Sequence, residues 1–184
     1  MGKLPTTSTP AIRLAVCLLA LLGTAIVPRA AGQTTQTVTV TSTVPQVLSL
    51  TIDTVTVSIP FLATDYNVST GAATKTVTGA NTLSVESNKN WTVSLKANTA
   101  AFSFSPSAGD PDPSKPAGNL SYKLSTSGTY TPVTTSNVAV KSGNKGGTAT
   151  AGNSFIMDYQ LTSNLSQDPP GTYTLAIVYT LTAP

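Results

Sequence analysis

The chain has 184 residues, of which 40% are hydrophobic, 9% charged and 6% aromatic, with one cysteine and no histidine. This composition excludes histidine-dependent catalysis and imidazole metal sites, and a lone cysteine cannot form an intrachain disulfide. Ten Lys plus Arg stand against seven Asp plus Glu, but Lys3, Arg13 and Arg29 fall in residues 1–32, leaving seven lysines and seven acids in residues 33–184. A neutral segment without arginine lacks the electrostatic footprint of a nucleic-acid binder.

Residues 1–32 have the layout of a secretory signal. Lys3 and Arg13 flank a polar start, and an apolar run from Leu14 to Val27 follows. That run is too short for a typical bilayer-spanning helix but suits a signal core. Ala30-Ala31-Gly32 supplies small residues for cleavage before Gln33, and the only cysteine, Cys17, would leave with the signal. An uncleaved N-terminal anchor is the alternative. No second apolar run of spanning length follows, so the expected mature protein is extracellular, either soluble or held at the cell surface by contacts, and folded without disulfides.

Residues 33–184 contain 29 Thr and 19 Ser. A branched Cβ suits a pleated strand and a hydroxyl suits its wet side, so Thr alternating with Val, Leu and Ile predicts half-exposed strands. Residues 33–44 form an N-terminal β arm in which Val38, Val40 and Val44 alternate with threonines. The arm is expected to be the first strand of its own domain; the alternative is donation to a neighbour's sheet edge. A single domain over residues 45–184 follows.

Leu48, Leu50 and Ile52 continue the alternation, and Val55, Val57 and Ile59 take the opposite parity, which predicts a bend near Asp53-Thr54. Leu83 and Val85 lead through Ser87-Asn88-Lys89-Asn90 to Trp91, Val93, Leu95 and Ala97, a candidate hairpin. Phe102 and Phe104 mark a short strand. Pro106, Pro111, Pro113 and Pro116 then make a loop of residues 105–118. Further strands centre on Leu120–Leu124, Val138–Val140 and Phe155–Leu161, and a last one carries Tyr173, Leu175, Ile177, Tyr179 and Leu181 on one face. Nine or ten short strands and no amphipathic helical window predict an all-β, antiparallel two-sheet sandwich, with an up-and-down barrel as runner-up.

Few residues promise chemistry. Asp110 and Asp112 are the only close acids and a weak calcium candidate; a solvated loop is the plainer reading. A glycosidase would need two convergent carboxylates from Glu86, Asp53, Asp65, Asp158 and Asp168. Glu86 and Asp158 take the polar parity of their strands, where a solvated charge belongs. No cofactor is called for. Trp91 shares parity with Val93 and Leu95, which favours a core anchor over an exposed stacking platform.

Two segments carry a resemblance. Asn90-Trp91-Thr92-Val93-Ser94-Leu95, followed by Phe102, resembles the first Trp-x-Leu stretch of the WxL domain, with Val93 in place of Leu. Gly171 to Pro184 resembles that family's closing strand, with Tyr179 in place of the second Trp. WxL proteins are secreted β-rich proteins of Gram-positive bacteria that attach non-covalently to the cell wall. The resemblance implies a surface protein that contacts wall polymer or other surface proteins through Trp91, Thr92, Val93, Tyr179, Thr180 and Leu181. Spore-coat and fimbrial subunits end in similar strands, which implies self-assembly instead. The functions that follow are a non-enzymatic, wall-associated or structural module, a filament subunit built by strand donation, and, as an outsider, a secreted carbohydrate-active enzyme.

Overall fold

The computed structural model describes residues 35–184; the expected export signal over residues 1–32 lies outside them. Ten strands occur among the described residues: β1 (Leu48–Ile52), β2 (Ala72–Ser87), β3 (Trp91–Ala97), β4 (Ser103–Pro106), β5 (Leu120–Leu124), β6 (Thr131–Pro132), β7 (Val138–Gly143), β8 (Ser154–Asn164), β9 (Gly171–Thr174) and β10 (Ile177–Thr182). All pairings are antiparallel, in a five-stranded sheet ordered β1-β2-β8-β5-β6, a three-stranded sheet ordered β10-β3-β7, and a separate β4-β9 pair. The fold is the expected all-β sandwich, and residues 43–184 form one compact unit.

Period-two alternation builds the core. Leu83 and Val85 from β2, Trp91, Val93 and Leu95 from β3, and Phe155, Met157 and Tyr159 from β8 are all buried in one cluster. Each such side chain contributes roughly 1.5–3 kcal/mol on burial. Two contacts join the sheets directly: the Trp91 and Phe155 rings stack with centroids 6.2 Å apart, and the Tyr159 and Tyr179 hydroxyls lie 2.6 Å apart.

The arm departs from expectation. Residues 35–47 contain no strand, and Val38 and Val40 are 83% and 86% exposed. The register explains why β1 starts no earlier: Leu48 already pairs with Ser87, the last residue of β2, so upstream residues have no continuing strand to meet. Pro45 and Val47 are held instead by the Asn88 side chain, which donates to the Pro45 carbonyl and accepts from the Val47 N–H.

The expected hairpin is also corrected. β2 and β3 are consecutive but lie in different sheets, so residues 88–90 carry the chain across the sandwich. Alternation matches either arrangement, because both runs bury their odd-numbered residues. The edge of Ser87 is taken by Gly146, which bridges to it. Likewise, the bend at Asp53 is present, but residues 55–59 form no strand; Val57 and Ile59 pack on the core while Val55 is exposed. The expected last strand changes partner midway. β9 pairs with β4 and β10 with β3, although Tyr173, Leu175, Ile177, Tyr179 and Leu181 all keep to the core side. The proline-rich loop gives up Ser105 and Pro106 to β4, a two-strand edge where a missing N–H is tolerated.

Candidate functional site

The two segments that carry the family resemblance are neighbours in the three-stranded sheet. In the β3–β10 register, Val93 faces Leu181, Ser94 faces Thr180 and Thr92 faces Thr182. Alternation divides the six candidate residues between two environments. Trp91, Val93, Tyr179 and Leu181 turn to the core, whereas Thr92 and Thr180 take the opposite parity with Ser94 and Thr182.

Trp91 is a core anchor, only 2% exposed, so the stacking-platform alternative fails. Its indole N–H donates to the Asn144 carbonyl at 3.0 Å, which satisfies the ring's polar atom at the sheet's end. Tyr179 is held neutral. Burial pushes its hydroxyl far above the usual tyrosine range, and Tyr159 adds to the shift. Burial likewise raises Tyr159, against the opposing hydrogen bond from Tyr179, and raises Tyr122, the register partner of Tyr159. These tyrosines stitch the sheets together and offer no titrating group near neutral pH.

What remains outward is a ladder of hydroxyls. Thr92 Oγ1 and Ser142 Oγ on β7 lie 2.9 Å apart, and Thr182 donates to the Thr92 carbonyl at 3.3 Å. At the strand ends this ladder opens into a shallow cleft of about 380 Å³. One wall carries Asn90 and Thr92; the other carries Ser142 and Asn144; Pro184 closes a side. Asn90 Oδ1 accepts the Lys145 backbone N–H at 3.3 Å, and Lys89 Nζ donates to the Pro184 backbone oxygen at 2.7 Å, so two lysine residues adjoin the cleft's lining. The arrangement offers hydroxyl and amide groups to an uncharged or anionic hydroxylated ligand. Asn144 and Ser142 had no signal in the sequence beyond the neighbouring glycines Gly143, Gly146 and Gly147.

The carboxylates are engaged elsewhere. Asp158, expected as a solvated charge, is only 3% exposed, because the β2 bulge and the end of β5 close over it. It accepts the Gly79 N–H at 2.8 Å and the Ser125 hydroxyl, with Lys123 Nζ at 3.5 Å. Burial acts to raise its pKa, but these three donors outweigh it and hold the group below the usual value. Asp168 behaves alike: burial is outweighed by Lys115, the Asn164 N–H and the Ser163 hydroxyl. Asp65 is lowered by the Leu62 N–H and Lys75, and Asp53 by the Thr82 N–H. Glu86 is exposed, as its parity predicts. Asp112 Oδ1 accepts the Ser114 N–H at 2.8 Å in a local turn. Among the described residues, no group of three or more acids, cysteines or histidines brings a further ligand to Asp110 and Asp112.

No family model and no curated protein matches the chain.

Proposed function

We propose that the protein is a non-enzymatic, exported surface module that holds a polymer of the cell envelope against the β10-β3-β7 sheet and its end cleft. The observation that carries this reading is the pairing of Thr92 with Thr182 across a sequence separation of 90 residues. It unites the two WxL-like segments in one surface and places hydroxyls of both on the same face. Cosedimentation of the purified protein with isolated cell walls tests the reading. Thr92→Val combined with Ser142→Ala, which removes the ladder's paired hydroxyls, is expected to cut the pelleted fraction. Full recovery of the unsubstituted protein in the supernatant defeats the proposal.

A second reading is favoured by the exposed valines of the arm. An extended segment with Val38, Val40 and Val44 uncovered is suited to pair with the sheet edge of another copy, its side chains filling alternate pockets. Sizing of the native protein decides: this reading expects polymers that disappear when residues 33–44 are removed, and a monomer before removal defeats it.

A further inference from the structure

The balance of seven lysines and seven acids conceals a segregation of charge. Lys75, Lys115 and Lys123 pair with Asp65, Asp168 and Asp158. Lys96, Lys141 and Lys145 have no carboxylate partner among the described residues, Lys89 is bonded only to the Pro184 backbone oxygen and to no Asp or Glu, and residues 1–34 contain no Asp or Glu to supply one. All four belong to one sheet or its ends: Lys96 is on β3, Lys89 two residues before β3 and Lys145 two residues after β7, while Lys141 on β7 pairs with core-facing Val93 and so lies off the hydroxyl face. The unpaired acids lie elsewhere. Asp53 and Glu86 are on the β1–β2 side of the five-stranded sheet, and Asp110 and Asp112 are in the proline-rich loop. A chain with no net charge over residues 33–184 thus presents a basic, hydroxyl-bearing sheet.

We propose that this sheet and its cleft bind a hydroxylated polymer with regularly repeated anionic groups, either phosphodiester or carboxylate. This rests on the envelope-polymer reading above and names the chemistry of its ligand. Lys96 shares the parity of Thr92 and Ser94, so ammonium and hydroxyl donors occupy one face. Asn90 at the cleft and Lys96 are six residues apart on an extended strand, roughly 20 Å. A single small anion cannot reach both the lysines beside the cleft and Lys96, whereas a repeating one can. Nucleic acid fits less well, since the outward positions of β3 and β10 carry no aromatic side chain on which bases could stack.

The test measures binding of the purified protein to poly(glycerol phosphate), polygalacturonate and neutral dextran, at low salt and at about 1 M salt, where the screening length falls to about 3 Å. Binding to one or both polyanions at low salt, lost at high salt, is expected, and the polymer preferred identifies the anionic group. The triple variant K89Q/K96Q/K145Q is expected to bind about a hundredfold more weakly, from roughly fivefold per lysine. K75Q, at a lysine already paired on the opposite sheet, is expected to bind like the parent. All variants are first checked for unchanged circular dichroism. Equal binding to dextran, no binding to either polyanion, or an equal effect of K75Q overturns the inference. Salt-insensitive cosedimentation with cell walls, retained by the triple variant, also overturns it while leaving the envelope reading standing; loss of wall binding under every condition removes both. Polymer-free association at low salt that the triple substitution abolishes would assign the lysines to the acidic side of a second copy, and overturns it too.

Discussion

Gly143 lies against the face of Trp91, its register partner across β3 and β7: a Cβ at Gly143 would stand 2.2 Å from Trp91 Cζ2. The indole can therefore stay in the core, stacked on Phe155, only because the opposing strand offers no side chain. Gly143→Ala is expected to destabilise the fold by about 1–3 kcal/mol, the usual cost of overpacking a filled core. Urea unfolding followed by tryptophan emission measures this directly. A midpoint unchanged from the parent would show that the ring is free to move aside.

The Tyr159–Tyr179 hydrogen bond makes the sandwich sensitive to alkali. Both hydroxyls have pKa values raised on folding, so the native state keeps protons that the unfolded chain gives up near pH 10. Stability from these groups is complete below about pH 10 and falls as pH rises beyond it, by about 1.4 kcal/mol per unit for each tyrosine kept neutral. Tyr179→Phe is expected to flatten this loss, at a cost near neutral pH of about 1 kcal/mol for the missing bond. Thermal midpoints between pH 9 and 11 (values chosen about the unfolded pKa of roughly 10) check it; a parallel decline in parent and variant would remove Tyr179 from the account.

How far this architecture was legible follows from what alternation encodes. It assigns a side chain to core or solvent, and so Trp91, Val93, Leu95, Met157 and Tyr159 fell on the correct face. It does not encode the partner strand. Residues 83–97 read equally well as a hairpin or as a crossing between sheets, and residues 173–181 kept one parity through a change of sheet. The first half of β2 was invisible, because residues 72–82 carry Ala, Thr and Lys with few aliphatics, and Gly79 interrupts the period at a bulge. The adjacency of Thr92 and Thr182, and the segregation of the lysines, depend on those same pairings. Both became visible only once strand order was known.

Lys115 and Asp168 form a buried ion pair that pins the proline-rich loop to the turn after β8, with both side chains almost wholly inaccessible. Lys115 Nζ also lies 5.4 Å from the Tyr173 ring centroid, and the Tyr173 hydroxyl donates to the Pro169 carbonyl. Lys115→Met leaves the Asp168 charge buried with fewer donors and is expected to cost about 3–5 kcal/mol. The double variant K115M/D168L is expected to recover much of that loss, since removing both charges also removes their desolvation cost. Equilibrium unfolding of the single and double variants tests this, and a double variant less stable than either single would contradict it.

Asp158 performs the corresponding task within β8 itself, where its carboxylate collects the Gly79 N–H of the β2 bulge on one side and the Ser125 hydroxyl beyond β5 on the other. Gly79 has φ of +64°, so the bulge combines a left-handed residue with an amide that the neighbouring strand bonds through the Asp158 side chain rather than its backbone. Asp158→Ala removes a charged acceptor from that amide and hydroxyl; both residues are exposed, so water takes its place and the expected cost is about 1.5–3 kcal/mol in all. Amide exchange at Gly79 should then accelerate ahead of exchange in β3, reporting local opening before global unfolding. Acid provides the same perturbation without mutation. Asp158 and Asp168 both have pKa values lowered on folding, so their stabilisation is present above the unfolded value near 3.8 and is lost as pH falls through the folded values. A Gly79 protection factor, the exchange rate relative to the intrinsic rate at each pH, that falls in the parent below the unfolded value near 3.8 but is already low at every pH in the alanine variant is the expected result; unchanged Gly79 protection in that variant would mean the bulge is held without the carboxylate.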